Sequence, residues 1–280
     1  MSKVKIVTDS TVDFSLERLK EQGVYIVPLS IQMNGKSYLD RIEISPTEFM
    51  EKMKLSNELP KSSQPSIGTF IDLYNKLGED GSEIISIHMT GGMSGTVQTA
   101  QLAAEMSTSK VTVVDSKFIS RALYFQVSEA AKLAKEGKSV KEIVNRLSEI
   151  RQATKLFVVV DTLENLVKGG RIGKAKAFIG SLLNIKPIAT LIDGELTPVS
   201  KARSHAQVVK FLVKQFTEDV KGKTIKGIGL AHADGKELAL KLKEQLVNLF
   251  DSLDIQIIET TPVISTHTGP GAIGFMYYAE

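Results

Sequence analysis

The sequence contains no cysteine. Disulfides, thiolate zinc sites and a cysteine nucleophile are therefore excluded. No uninterrupted apolar run approaches the roughly 18 residues that mark a membrane-spanning helix. The opening residues, Met1 to Asp9, carry Lys3 and Lys5 with no apolar segment behind them, so no secretory leader is expected. Charge of one sign is scarce: 35 Lys and Arg against 32 Asp and Glu leave a formal net charge of +3. Both signs are mixed along the chain, without the basic stripe of a nucleic-acid binder. No H-x-x-x-H pair or carboxylate cluster suggests a metal. Internal repeats and low-complexity tracts are also absent. A cytoplasmic protein that binds neither nucleic acid nor metal is the expectation.

What is present is an ordinary globular composition, 42% hydrophobic over 280 residues, enough for one large or two modest domains. Val4 to Thr8 reads as a buried strand, Ser15 to Gln22 as a helix, and Tyr25 to Met33 as one extended run. Asn34-Gly35 is a type I′ hairpin signal, because both central positions need positive φ. Ser45 and Pro46 cap and start a helix over Thr47 to Lys54. Leu55 to Ser66 has no periodicity and reads as a loop. Helices over Ile67 to Leu77, Thr96 to Met106, Ala122 to Lys135 and Val140 to Gln152 alternate with strands at Ile84 to Met89 and Val111 to Val114. That alternation predicts βαβ units and a largely parallel sheet.

The pattern changes near Ala153, which places an N-terminal α/β domain at 1–153 and a C-terminal one at 154–280. In the second part, Asp193-Gly194 joins two strands as a hairpin. Strands also fall at Leu156 to Val160, Ile225 to Ala231, Ile255 to Ile258 and Ala272 to Tyr278. Helices are expected over Lys174 to Leu183, His205 to Glu218 and Lys236 to Phe250. Hairpin and crossover connections together predict a mixed sheet.

Several segments carry polar groups suited to a ligand. Thr90-Gly91-Gly92-Met93-Ser94-Gly95-Thr96 follows a strand and opens a helix, where glycines and N–H groups favour an anion. A capped turn without a ligand has the same appearance. Gly92 to Thr96 nearly matches the nucleophile elbow G-x-S-x-G, but Thr96 replaces the last glycine. Ser62-Ser63-Gln64-Pro65-Ser66 brings further hydroxyls to a helix start. His267 lies among Thr266, Thr268, Gly269 and Gly271, where an imidazole can meet a carboxylate or phosphate. Gly269 to Gly274 spells G-x-G-x-x-G, yet six residues remain after it, too few for a βαβ unit. Lys168, Arg171, Lys174 and Lys176 form the densest basic cluster. Lys168 and Ala175 break the phosphate-loop pattern around Gly173-Lys174. His88 and His232 fall at apolar strands and read as structural.

Taken in order, these segments resemble the DegV family, including the fatty-acid-binding subunits of bacterial fatty acid kinase. The resemblance rests on Ile6-Val7-Thr8-Asp9-Ser10, Ser62-Ser63-Gln64-Pro65-Ser66, Gly92-Met93-Ser94-Gly95-Thr96 and Val113-Val114-Asp115-Ser116. It continues through Gly169-Gly170-Arg171-Ile172, Ile185-Lys186-Pro187-Ile188 and His267-Thr268-Gly269-Pro270-Gly271. Each motif alone is weak, and the ordered set is specific.

The resemblance implies two α/β domains with a long-chain fatty acid between them and its carboxylate held by Ser62, Ser94 and His267. Ser63, Gly95 and Thr96 are additional candidates. Ser62 stands where the family commonly has threonine, and Thr90-Gly91-Gly92 where a serine-rich version is usual. Arg171 and Arg203 match arginines near the mouth, implying docking of a partner or contact with a phosphate. The implied partner is a separate ATP-dependent kinase that forms an acyl phosphate, with transient membrane contact during lipid loading. No catalysis by this chain alone and no cofactor are implied. The apolar pairs Phe178-Ile179 and Leu182-Leu183 are candidates either to line an acyl tunnel or to fill ordinary core. The alternative function is an enzyme acting on a small carboxylate or phosphorylated substrate in the same cleft, supported by the Ser94 loop and His267.

Overall fold

The computed structural model describes residues 3–179, 185–250 and 253–280. The N-terminal part runs β1 (Val4–Asp9), α1 (Leu16–Glu21), β2 (Val24–Val27), β3 (Ser30–Met33), β4 (Lys36–Leu39), α2 (Pro46–Leu55) and β5 (Lys61–Ser63). It continues with α3 (Ile67–Gly78), β6 (Glu83–His88), α4 (Thr96–Met106), β7 (Val111–Asp115), α5 (Ser120–Lys135) and α6 (Val140–Ala153). The C-terminal part follows with β8 (Thr154–Val159), α7 (Glu164–Lys168), a 3₁₀ turn at Gly173–Phe178, β9 (Lys186–Ile192), β10 (Glu195–Ala202) and α8 (His205–Asp219). It ends with β11 (Ile225–Ala233), α9 (Lys236–Leu249), β12 (Ile257–Glu259), α10 (Pro262–Thr268) and β13 (Ala272–Ala279).

The first sheet has the order β2-β1-β6-β7 and is parallel throughout. Its central strands β1 and β6 are buried almost end to end, as expected for a parallel sheet covered by helices on both faces. The second sheet has the order β10-β9-β8-β13-β11-β12. It is antiparallel except where β11 pairs with β12. A small antiparallel sheet, β4-β3-β5, lies beside them.

Local signals fix many of these boundaries. Asn34 and Gly35 adopt φ of 51° and 75°, and Asp193 and Gly194 adopt 52° and 85°, so both hairpins turn through left-handed pairs. Ser45 accepts from Glu48 N with Pro46 at the first helical position. Ser139 and Glu142 complete a reciprocal capping box at the start of α6.

Three expectations are corrected. The run Tyr25 to Met33 divides into β2 and β3, which join different sheets. The segment read as a loop contains β5, where Ser62 pairs with Ile31. Three residues with a Ser-Ser pair carry too little apolar alternation to announce a strand; the β3 edge supplies the pairing. The described beginning of the helix expected at Lys174 to Leu183 is a 3₁₀ turn ending at Phe178, and residues 180–183 of that stretch lie outside the described residues.

The largest apolar cluster joins the small sheet and α2 to the second main sheet: Ile31, Met33 and Phe49 pack in it together with Leu156, Val158 and Met276. Helix α5 touches β1 and β6 on one side and β8, β11 and β13 on the other. Buried polar hooks join the same parts. Asp13 accepts from Thr260 Oγ1 at 2.6 Å and from Thr261 N at 3.0 Å, and Asp40 accepts from Val263 N at 3.3 Å. Among the described residues, no helix is long and apolar enough to cross a membrane.

A candidate lipid-binding cavity

Four segments converge on a cavity of about 280 Å³. They are the end of β5, the loop between β6 and α4, the turn after α7, and α10. Its polar edge carries Ser62, Ser63, Gln64, Ser94, Arg171 and His267. Its remaining wall is hydrocarbon, including Leu29, Ile119, Val158, Leu166 and Val263.

Helix α10 brings His267 to this edge. Thr261 caps the helix by accepting from Ile264 N at 3.3 Å, Pro262 occupies the first turn, and Gly269 leaves it with φ 72°. The imidazole expected in a loop is therefore held on a short helix. The concentration of threonine, valine and isoleucine hid that helix in the sequence, because β-branched residues favour strands. His267 Nε2 lies 2.7 Å from Ser62 Oγ. Its Nδ1 is buried without a hydrogen-bond partner. Burial, assisted by the Arg171 guanidinium, pushes the imidazole pKa down to about 4. The ring is thus neutral near pH 7, with one nitrogen serving the cavity edge.

Gln64 locks β5 to the next loop. Its Nε2 donates to Thr99 Oγ1 at 2.6 Å, and a Cβ at Gly95 would overlap its Oε1. Gly95 also serves as N-cap of α4 and offers no side chain to the first-turn N–H groups. That helix start favours an anion. Ser94 Oγ lies 2.9 Å from Thr96 Oγ1 and accepts from Thr96 N at 3.4 Å. Thr96 itself is fully buried and is not part of the cavity wall.

Arg171 ties the turn to the loop. Nε donates to Met93 O at 3.1 Å and Nη1 to Gly169 O at 2.7 Å. Gly170 adopts φ 70°, which lets the turn reverse tightly enough for this reach. Arg203 lies elsewhere, exposed just beyond β10 and away from the cavity wall.

The loop that carries Ser94 is anchored from below. Asp9 Oδ2 accepts from Met89 N at 2.7 Å and lies 3.2 Å from His88 Nδ1. His88 Nε2 lies 2.7 Å from Ser86 Oγ, which also accepts from Tyr74 OH at 2.7 Å. The order Asp-His-Ser imitates a hydrolase triad, but Ser86 is 0% exposed and has no path to a substrate. Burial drives the Asp9 carboxyl up, and hydrogen bonds from His88, Thr11 and Met89 outweigh it and hold the pKa below the usual range.

Of the pairs Phe178-Ile179 and Leu182-Leu183, the first does not line the observed wall. Ile179 is 56% exposed, Phe178 packs against the cluster that forms the wall without lining the cavity itself, and Leu182 and Leu183 lie outside the described residues. The wall comes from single positions on separate elements, such as Leu29, Val158 and Leu196. Each is indistinguishable from core in sequence. Gln64 was also missed as a locking residue, although it sits inside the Ser-Ser-Gln-Pro-Ser motif. Among the described residues, no group of three or more His, Asp or Glu could hold a metal ion.

A second void of about 30 Å³ continues inward, sharing Ile119, Val158, Ile264 and Thr268 with the first. A cavity with a polar edge and hydrocarbon depth has the polarity of an amphiphile.

Known proteins match this chain along its whole length. A Staphylococcus aureus (strain N315) DegV domain-containing protein is 47% identical over 99% of each chain. One from Listeria monocytogenes is 42% identical over 100% of each. The solved structure of a DegV family protein from Thermus thermophilus, described for its fatty acid binding, superposes with a TM-score of 0.92 at 34% identity, covering 99% of this chain and 100% of that one. The structure of DegV from Bacillus subtilis, described as a fatty acid binding protein, also gives 0.92, at 32% identity over 100% of both chains. The family model described as uncharacterised protein, DegV family, matches residues 3–280. The chain belongs to the DegV family.

Proposed function

We propose that this protein binds a long-chain fatty acid, buries its acyl chain between its N-terminal and C-terminal parts, and presents the carboxylate to a separate ATP-dependent kinase. The observation that carries the reading is the pairing of Ser62 with a buried neutral His267 at the polar edge of an apolar cavity. Relatives described as fatty acid binding proteins share the fold over the whole chain.

The energetics suit this role. Burying each CH₂ contributes about 0.8 kcal/mol, so a C16 chain gains about 10 kcal/mol before ordering costs. That is enough to draw the lipid from a membrane surface during transient contact. A carboxylate entering this edge loses water and needs donors. Ser62, Ser94 and the first-turn N–H groups of α4 supply them, and the Arg171 charge favours an anion. The acyl chain then runs past Ile119 and Val158 toward the second void. Acyl-phosphate formation would occur on the same carboxylate, with nucleotide and metal carried by the kinase. The hydrocarbon wall counts against a small polar substrate.

Mass spectrometry of lipids released from protein purified from bacteria tests binding directly. Near-stoichiometric long-chain fatty acid is expected, with strong depletion in Ser94→Ala/His267→Ala. Absence of both co-purifying lipid and palmitate binding by titration would overturn the reading. For the kinase role, Arg171→Ala should keep lipid while lowering acyl-phosphate formation. Equal loss of both would assign Arg171 to the lipid site alone.

A further inference from the structure

A second cleft, of about 440 Å³, opens between α5 and the β11–β13 pair. Arg121, Tyr124 and Phe125 face it from α5, Lys226 and Gly227 from β11, and Tyr278 from β13. None of these residues belongs to the lipid cavity.

Arg121 is the unusual member. It is 6% exposed, and among the described residues it makes no ion pair. Its Nε is buried without a partner and packs against Gly229, where a Cβ would overlap it. Nη1 reaches Gln256 Oε1 at 3.4 Å, beyond the usual range of a strong hydrogen bond. The guanidinium carbon sits 5.5 Å from the Phe14 ring centroid and 5.3 Å from that of Tyr124, two rings that stack at 3.9 Å. Such contacts orient the planar fork but leave its N–H donors largely unused. The carboxylates nearby, Asp13 and the cleft-lining Glu129 and Asp254, do not hydrogen-bond to it; Asp13 acts on it through space while bonded to Ser120, Thr260 and Thr261. Glu129 faces Arg146 at 3.6 Å and Lys132 at 4.0 Å, and Asp254 acts on Arg121 only through space.

A buried guanidinium is retained at a cost unless something pairs with it. The fork geometry suits two oxygens of one oxyanion. We infer that this cleft is a second binding site, taking a small ligand through a phosphate or carboxylate group gripped by Arg121 with Lys226 at the rim.

The test uses full-length protein labelled with ¹⁵N-arginine, titrated with inorganic phosphate and separately with acetate, against sodium chloride of matched ionic strength. A saturable shift of the Arg121 Nε–H resonance is expected with at least one oxyanion, and the stronger arm identifies the group. Lys226→Gln, an exposed change, should weaken that response by about fivefold or more. Arg121→Lys, checked for folding by circular dichroism, should abolish phosphate-dependent thermal stabilisation. Absence of saturation in both arms overturns the inference, as does a shift that chloride reproduces. A response confined to Arg171 would place the anion in the lipid cavity and also overturn it. Because the lipid assay reads a different cavity, failure here leaves the fatty-acid reading standing.

Discussion

Gly169 and His267 are packed so closely that a Cβ on the glycine would overlap His267 Nδ1. The turn after α7 therefore sets the position of the imidazole, and the absence of a side chain at 169 helps to shape the cavity edge. Gly169→Ala should displace the ring from Ser62 and weaken fatty-acid binding by about tenfold, equivalent to about 1.4 kcal/mol. Isothermal titration with palmitate checks this, and wild-type affinity would show that the ring can move without cost.

His267 should titrate far below an ordinary histidine. With a pKa of about 4 in the folded chain against about 6.5 unfolded, the unfolded state binds the extra proton between those values. This group's contribution to stability is therefore present above about pH 6.5 and is lost progressively toward about pH 4. Imidazole resonances of lipid-free protein should show the low midpoint. Palmitate should raise it, because a neighbouring carboxylate favours the charged ring.

Asp40 should show the opposite slope. Burial raises its pKa to about 7, opposed by hydrogen bonding and by Arg41. The folded state holds this proton where the unfolded state has released it, so stability present at low pH is lost as pH rises from about 4 to about 7. Asp40→Asn cannot ionise and should lack this loss. Urea titrations at pH 5 and pH 8 should show wild type losing about 2–3 kcal/mol relative to the variant.

Asp9→Ala should destabilise the fold by about 3–5 kcal/mol, because it removes the anion from a buried pair and strands the N–H groups of Thr11 and Met89. Thermal unfolding checks the magnitude. Asp9→Asn, which keeps one acceptor oxygen, should cost less.

The legible parts of this fold are those specified locally. The two left-handed hairpin pairs, the Ser45-Pro46 start of α2 and the Ser139 box of α6 each need a few adjacent residues. The alternation of strands and helices likewise announced the parallel sheet. What escaped depends on distant partners. β5 exists because β3 offers it an edge, and α10 forms from β-branched residues because Asp13 and Asp40 receive its first turn. Ser62, Ser94 and His267 could be named from ordered motifs, and all three border one cavity. Its hydrocarbon wall could not, because Leu29, Val158 and Leu196 look like any core residue until the backbone is in place. Arg203, grouped with Arg171 by family resemblance, stands apart from that wall.

The apolar cluster shared by the N-terminal and C-terminal parts has a consequence for how the chain can be divided. Severing the peptide between Ala153 and Thr154 would leave Ile31, Met33 and Phe49 on one fragment and Leu156, Val158 and Met276 on the other. Each fragment would then show water a greasy face that normally meets its counterpart. The halves are thus mutual chaperones, made on one ribbon so that neither waits long uncovered.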